Sequence, residues 1–154
     1  MSGLKDWIEY LYVKLMKILG KEISITADFA LVEKDGKFLL VKEKSPVARG
    51  KWNLPGGRRE KGESSRDCAK RETEEETGFE AEIGRQIAAG NEYVNEVLCI
   101  NYSVYAAKVV GGRLKVPKDL LNVDWFSREE IAEIPAEQMF AAFVKRAVTG
   151  EREN

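Results

Sequence analysis

Histidine is absent from the 154 residues, and with it go Ser/His/Asp triads, Cys/His dyads and histidine-ligated zinc. Acid/base work therefore falls to carboxylates, lysines, tyrosines or cysteines. The only two cysteines, Cys68 and Cys99, form neither a metal-binding spacing nor a disulfide framework, which fits a reducing compartment. A cytoplasmic location is the expectation. No apolar run reaches the roughly 18 to 20 residues that a membrane span requires. Lys5, Asp6, Glu9, Lys14 and Lys17 interrupt the apolar residues near the N-terminus, which argues against a secretory leader there. Charge of one sign is missing too, since 25 Lys and Arg stand against 26 Asp and Glu for a net charge of −1. Such a balance offers no basic field for nucleic-acid phosphates, so duplex binding is not expected.

With 44% apolar residues the chain can fill one core and is too short for two domains of ordinary size. Leu4, Trp7, Ile8, Leu11, Leu15, Ile18 and Leu19 recur at helical spacing before Gly20, which predicts an amphipathic helix over Gly3 to Leu19. The expected division is a helix at 1–20 and a domain at 21–150. The helix is expected to dock on its own domain, with a homodimer contact or membrane-surface docking as the alternatives. Two β-rich runs flank Lys34-Asp35-Gly36-Lys37, a strong hairpin signal because both central residues tolerate positive φ. Ser45 to Gly57 reads as loop with a brief strand at Trp52 to Leu54. Strands are expected at Glu80 to Ala88, at Val97 to Val110 turning into Arg113 to Val116, and at Asn122 to Phe126. Ser127 with Glu130 predicts a capped short helix, Ala136 to Thr149 a last amphipathic helix, and Glu151 to Asn154 a frayed tail.

Against this background one segment stands out. Ser64 to Thr77 reads as a helix with a serine cap and a glycine stop at Gly78, yet Glu72, Glu74, Glu75 and Glu76 crowd its last turns. At about 100° per residue, Glu72, Glu75 and Glu76 share roughly a third of the circumference while Glu74 points the other way. Like charges at these spacings repel by a few tenths of a kcal/mol each on an exposed helix, and more where water is excluded. A cation between them would resolve the conflict, and without histidine or paired cysteine the consistent choice is magnesium or manganese. A solvated acidic face balanced by Lys61, Lys70 and Arg71 is the alternative. Pro55-Gly56-Gly57 just before the helix leaves backbone open for an ion or a phosphate to approach. Cys68 lies on this helix without an evident activating neighbour, so a thiolate nucleophile is disfavoured.

The segment resembles the signature of the Nudix hydrolases: Gly, five residues, Glu, seven residues, Arg-Glu, an aliphatic residue, any residue, Glu-Glu, any residue, Gly and an aliphatic residue. Here Gly57, Glu63, Arg71, Glu72, Glu75, Glu76 and Gly78 fill all seven fixed positions. Thr73 and Phe79 depart from the aliphatic sites. The flanking "KWNLPGG" and "VDWFSREEI" look like the family's neighbouring elements, and the resemblance implies an α/β/α sandwich with a mixed sheet. The N-terminal helix lies outside that core.

The resemblance further implies hydrolysis of a nucleoside diphosphate linked to another group, with water attacking phosphorus and Mg2+ or Mn2+ as cofactor. It implies that Glu75, Glu76 and the Gly56 carbonyl ligate metal, and that Glu72 is a ligand or the base. Glu63 is then a ligand or a partner of the ligands, and Arg71 orients Glu72 or simply ties loop to helix. A further carboxylate is expected ahead of Trp125, with Asp119 the candidate and Glu92 and Glu96 its rivals. Lys42, Lys44, Arg49 and Lys51 surround the preceding loop and are candidates for phosphate contacts. A non-catalytic nucleotide sensor, or a diphosphate isomerase using a cysteine such as Cys99, are the alternatives. No proline lies between Pro55 and Pro117, which counts against the ADP-ribose branch.

Overall fold

The computed structural model describes residues 2–150, so the tail from Glu151 lies outside the described residues. Helix α1 (Ser2–Ile18) leads into β1 (Ile23–Lys34) and β2 (Lys37–Glu43), joined by the expected tight turn with Asp35 at φ 53° and Gly36 at φ 75°. Two short strands follow, β3 (Trp52–Asn53) and β4 (Gly56–Arg58), and then helix α2 (Ser65–Thr77). The long antiparallel pair β5 (Phe79–Tyr93) and β6 (Leu98–Gly112) precedes β7 (Leu120–Ser127), α3 (Arg128–Glu133), a 3-10 turn at Ala136–Gln138 and α4 (Ala142–Thr149).

The sheet is mixed. β1 runs parallel to β6 from Ile23 opposite Leu98 to Val32 opposite Ala107, whereas its pairings with β2 and β4 are antiparallel. β2 touches β1 only near the hairpin tip and then diverges to pair with β3 and β7. The splayed strands carry cores on both faces, because alternate residues of a strand point to opposite sides. Phe29, Phe38 and Leu40 pack with Ile131, Phe143, Val144 and Val148 of α3 and α4. Their neighbours Ala30, Leu39 and Val41 pack instead with Phe79, Ala107, Leu120 and Val123.

Four local expectations change. Gly56 and Gly57 are not loop but strand, paired with Phe29 and Asp28 of β1. β5 runs on to Tyr93, and Arg113 to Val116 is not a strand; there the Arg113 and Lys115 amides donate to the carbonyls of Gly78 and Thr77. The single last helix is broken in two, because Met139 extends to bridge Trp52 and the Phe140 amide donates to the Trp52 carbonyl at 2.8 Å. Finally, α1 does not dock by its apolar stripe. Its half-buried side is Asp6, Glu9, Tyr10, Val13 and Met16, while Leu4, Trp7, Ile8, Leu11, Leu15 and Ile18 are each at least half exposed.

Candidate active site

Helix α2 forms where its sequence signals placed it. Ser64 Oγ accepts from the Asp67 amide at its start, and Gly78 ends it at φ 77°, a left-handed conformation that glycine adopts without a side-chain clash. Cys68, Ala69, Thr73 and Thr77 bury one face and so fix the rotation of the rest. Glu74 is the outward glutamate, paired with Lys70 at 2.5 Å and accepting from the Ala81 amide at 3.2 Å. Glu72, Glu75 and Glu76 look the other way, into a chamber of about 190 Å3.

Residues far apart in the chain complete this chamber. Asp6 of α1, Glu43 and Ser45 at the end of β2, and Asp119 with Leu120 at the start of β7 line it beside the three glutamates. No lysine or arginine lines it. Burial pushes Glu76 well above the usual carboxylate range, reinforced by the charges of Glu43 and Glu72, although the Gly56 amide hydrogen-bonds to it. Burial also raises Glu43 against the hydrogen bond from Asn53, and raises Glu72 against the pull of Arg71. Glu76 Oε2 is shielded from solvent and accepts no hydrogen bond.

A buried, unpartnered carboxylate oxygen in an all-oxygen acidic chamber fits a hard divalent cation. The carboxylates nonetheless stand apart: among the described residues no three Asp, Glu, Cys or His side chains are gathered around one ion-sized point. The two glycines explain how backbone and carboxylates come together. A Cβ on Gly57 would lie 2.6 Å from Glu72 Cδ, and one on Gly56 would lie 2.4 Å from the Asp28 carbonyl oxygen.

Arg71 is a clasp beneath the chamber. It donates to Glu63 from Nε at 2.6 Å and from Nη2 at 3.0 Å, and its Nη1 reaches Glu72 at 2.9 Å and Glu75 at 3.3 Å. Bidentate pairing with a guanidinium holds Glu63 down at about 2 and turns it toward Arg71; it does not line the chamber. Glu63 is therefore engaged with Arg71 and not with the chamber. A similar clasp lies on β1, outside the residues that the sequence pattern singles out: Asp28, fully buried, accepts from Arg59 Nε at 2.9 Å and Nη2 at 2.8 Å and from Ser65 Oγ at 2.5 Å. This ties the loop before α2 to the sheet. Asp28 had a readable signal, since a charge inside an apolar strand must find partners. Glu43 had none, because only the divergence of β2 brings it to α2.

Asp119 is brought to the chamber, whereas its rivals are occupied elsewhere. Glu92 pairs with Arg146 at 2.7 Å and Glu96 with Lys17 at 2.5 Å. The four basic candidates do not line it. Lys44 donates to the Lys118 carbonyl at 2.9 Å, Arg49 to the Lys44 carbonyl at 3.3 Å, and Lys42 sits 5.4 Å from the Trp52 ring centre. Lys51 faces a separate hollow beside Tyr93 and Met139. Cys68 is buried, and burial together with the Asp28 charge pushes its thiol up to about 12, which removes it as a nucleophile.

The family model of the NUDIX domain matches residues 24–147. The chain belongs to the Nudix hydrolase family. It is 32% identical over 116 residues to the CTP pyrophosphohydrolase of Escherichia coli, covering 75% of this chain and 83% of that protein. It is 31% identical over 108 residues to the ADP-ribose pyrophosphatase of Methanocaldococcus jannaschii, covering 68% of this chain but only 62% of that one, and the match to a Caenorhabditis elegans relative spans just 26% of its length. Among solved structures, a NUDIX hydrolase from Nitrosomonas europaea superposes with a TM-score of 0.72 at 26% identity, covering 82% of this chain and 87% of that one. A MutT protein from Methanosarcina mazei gives the same TM-score of 0.72 and 26% identity over 84% of this chain and 93% of its own. The α/β/α fold with a mixed sheet is therefore that of the family.

Proposed function

We propose that this chain hydrolyses a pyrophosphate bond in a nucleoside diphosphate derivative, with water as nucleophile and Mg2+ or Mn2+ as cofactor. The observation that carries the reading is the chamber itself: Glu43, Glu72, Glu75, Glu76 and Asp119 converge there with no basic lining residue. Such a surface repels a diphosphate by itself and accepts one only through cations. Glu75, Glu76 and the Gly56 carbonyl would hold the metal, which would neutralise phosphate oxygens and lower the pKa of water. Glu72 is a further ligand or the proton acceptor, and Arg71 fixes its position through the 2.9 Å contact. Asp119 and Glu43 complete the acidic lining.

Nucleoside triphosphates, ADP-ribose, dinucleoside polyphosphates and nucleotide sugars form the substrate class, and the names of the Escherichia coli and Methanocaldococcus relatives support testing CTP and ADP-ribose first. The Nudix hydrolase domain is assigned to 21–150 and the helix at 1–20 is an addition to it, in a protein of the cytoplasm. A homodimer through α1 is part of the same proposal, favoured by the exposed apolar side chains of Leu4, Trp7, Leu15 and Ile18, which line neither hollow. Light scattering on the intact chain tests the dimer. A metal-dependent screen of the four substrate groups, with products identified by mass, tests the activity. Nucleotide binding without turnover would replace the enzyme by a sensor, and calorimetry that detects no magnesium or manganese uptake would remove the metal.

A further inference from the structure

Helix α1 precedes the stretch that matches the family, yet it furnishes walls to two adjoining hollows. Asp6 lines the carboxylate chamber. One and two turns further on, Ile8, Glu9, Tyr12 and Val13 line a second cavity of about 380 Å3. Its remaining walls are mostly apolar, with Ile23 and Ile25 of β1, Val47, Ala48, Leu98 and Phe140. Glu43, Ser45 and Glu76 border both hollows, and Gly56, Gly57 and Arg58 border the second. A diphosphate held over the chamber therefore has its substituent at the mouth of an apolar cavity, within the range of about 300 to 1,000 Å3 usual for small-molecule sites.

The helix is held in place without its apolar stripe. Lys17 pairs with Glu96 at 2.5 Å, and just past the helix Glu22 accepts from Tyr93 Oη at 2.8 Å, so contacts to the β5–β6 turn region anchor its C-terminal end. The side turned to the body is the half-buried set from Asp6 to Met16. Take α1 away and the cavity loses one wall, leaving Ile23, Ile25 and Phe140 as an open apolar surface.

We propose, resting on the pyrophosphohydrolase reading above, that α1 is the specificity wall of the substrate site. Ile8, Tyr12 and Val13 close the cavity over the nucleoside of the substrate, and Tyr12 and Phe140 supply its aromatic surfaces for an uncharged base. Glu9 and Glu43 at the rim accept hydrogen bonds from base or ribose donors and disfavour a second anionic group there.

The test compares Tyr12→Ala on the cavity side of α1 with Leu11→Ala on its solvent side, both in the full chain with magnesium. Leu11 is 58% exposed and lines neither hollow, so its variant controls for general loosening of the helix. Using the best nucleotide from the substrate screen, Tyr12→Ala should raise KM about tenfold or more with kcat held within about twofold, as expected for a lost base–aromatic contact. Leu11→Ala should leave both unchanged. Hydrogen exchange with magnesium and a non-hydrolysable analogue of that nucleotide should slow the amides of residues 6–13. An unchanged KM in Tyr12→Ala, an equal rise in Leu11→Ala, or no protection of α1 would overturn the inference while the wild-type enzyme still turns over. A wild type that hydrolyses no nucleotide would instead overturn the underlying reading.

Discussion

The two longest helices of the molecule break opposite rules. α2 crowds like charges on one face and buries part of them, whereas α1 turns its apolar arc to water and its mixed side to the protein. On α2 the costly face lines a hollow, whereas on α1 only Ile8 of the apolar arc does. α2 tolerates its repulsion because a packed opposite face, two caps and the Arg71 clasp over-determine its position. α1 has no comparable packing and relies on polar contacts near its C-terminal end. One helix is a rigid support for chemistry; the other is an attached wall.

The sharpest way to break this contrast is Glu76→Gln. Turnover should fall on the order of 10²-fold or more, from loss of a metal ligand or proton acceptor. The metal-free fold should at the same time gain thermal stability at pH 7. The sign follows from the raised pKa: a carboxyl that is harder to ionise when folded weakens the fold as pH rises through that value, and glutamine does not ionise. Scanning calorimetry beside a turnover assay checks both, and a less stable variant would show that Glu76 is structural.

Gly57→Ala comes next. Its Cβ would meet only the end of the Glu72 side chain at 2.6 Å, so turnover should drop by about tenfold or more while the melting temperature barely moves. At Gly56 the added Cβ meets backbone, 2.4 Å from the Asp28 carbonyl oxygen and 2.7 Å from Phe29 Cα. Gly56→Ala should therefore destabilise by about 2 kcal/mol or more. Similar melting points for the two alanine variants would contradict the distinction between the glycines.

A smaller effect separates the buried face of α2 from the outer face of α1. Thr73 is fully buried and its Oγ1 has no hydrogen-bond partner. Thr73→Val should stabilise by about 1 kcal/mol by removing that unsatisfied hydroxyl. Leu11→Ala on α1 should change stability by less than about 0.5 kcal/mol, since little of Leu11 is covered. Denaturant titration of both variants decides; a destabilised valine variant would mean the hydroxyl is engaged.

The smallest predicted effect is on pH. Arg71 lowers Glu63 from 4.5 to about 2, so the stability this pair contributes is complete above pH 4.5 and lost as pH falls toward 2. Thermal melts of the metal-free protein should show part of the acid sensitivity between those limits disappearing in Glu63→Gln. An identical pH slope in variant and wild type would show that the clasp adds no net stability.

How much was legible follows from the distance over which each feature is encoded. The Asp35-Gly36 turn, the Ser64 and Ser127 caps and the arc of Glu72, Glu75 and Glu76 were readable because turn chemistry and helical geometry act within a few residues. Ala136 to Thr149 reads as one helix because its periodicity is helical throughout, and only the pairing of Met139 and Phe140 with distant Trp52 interrupts it. Nothing local in the chain says where Lys42 and Lys44 come to rest: Lys42 sits over the Trp52 ring and Lys44 donates to the Lys118 carbonyl.

The sequence by itself determined the acidic helix, its glycine approach and the family, because seven fixed positions within 23 residues specify one local structure. Only the tertiary structure decided that Glu43, Asp119 and Asp6 join that helix, and which side of α1 meets the protein. Those outcomes depend on the divergence of β2 from β1 and on the seating of whole elements, which arise from packing between residues dozens of positions apart and leave no periodic trace in the chain.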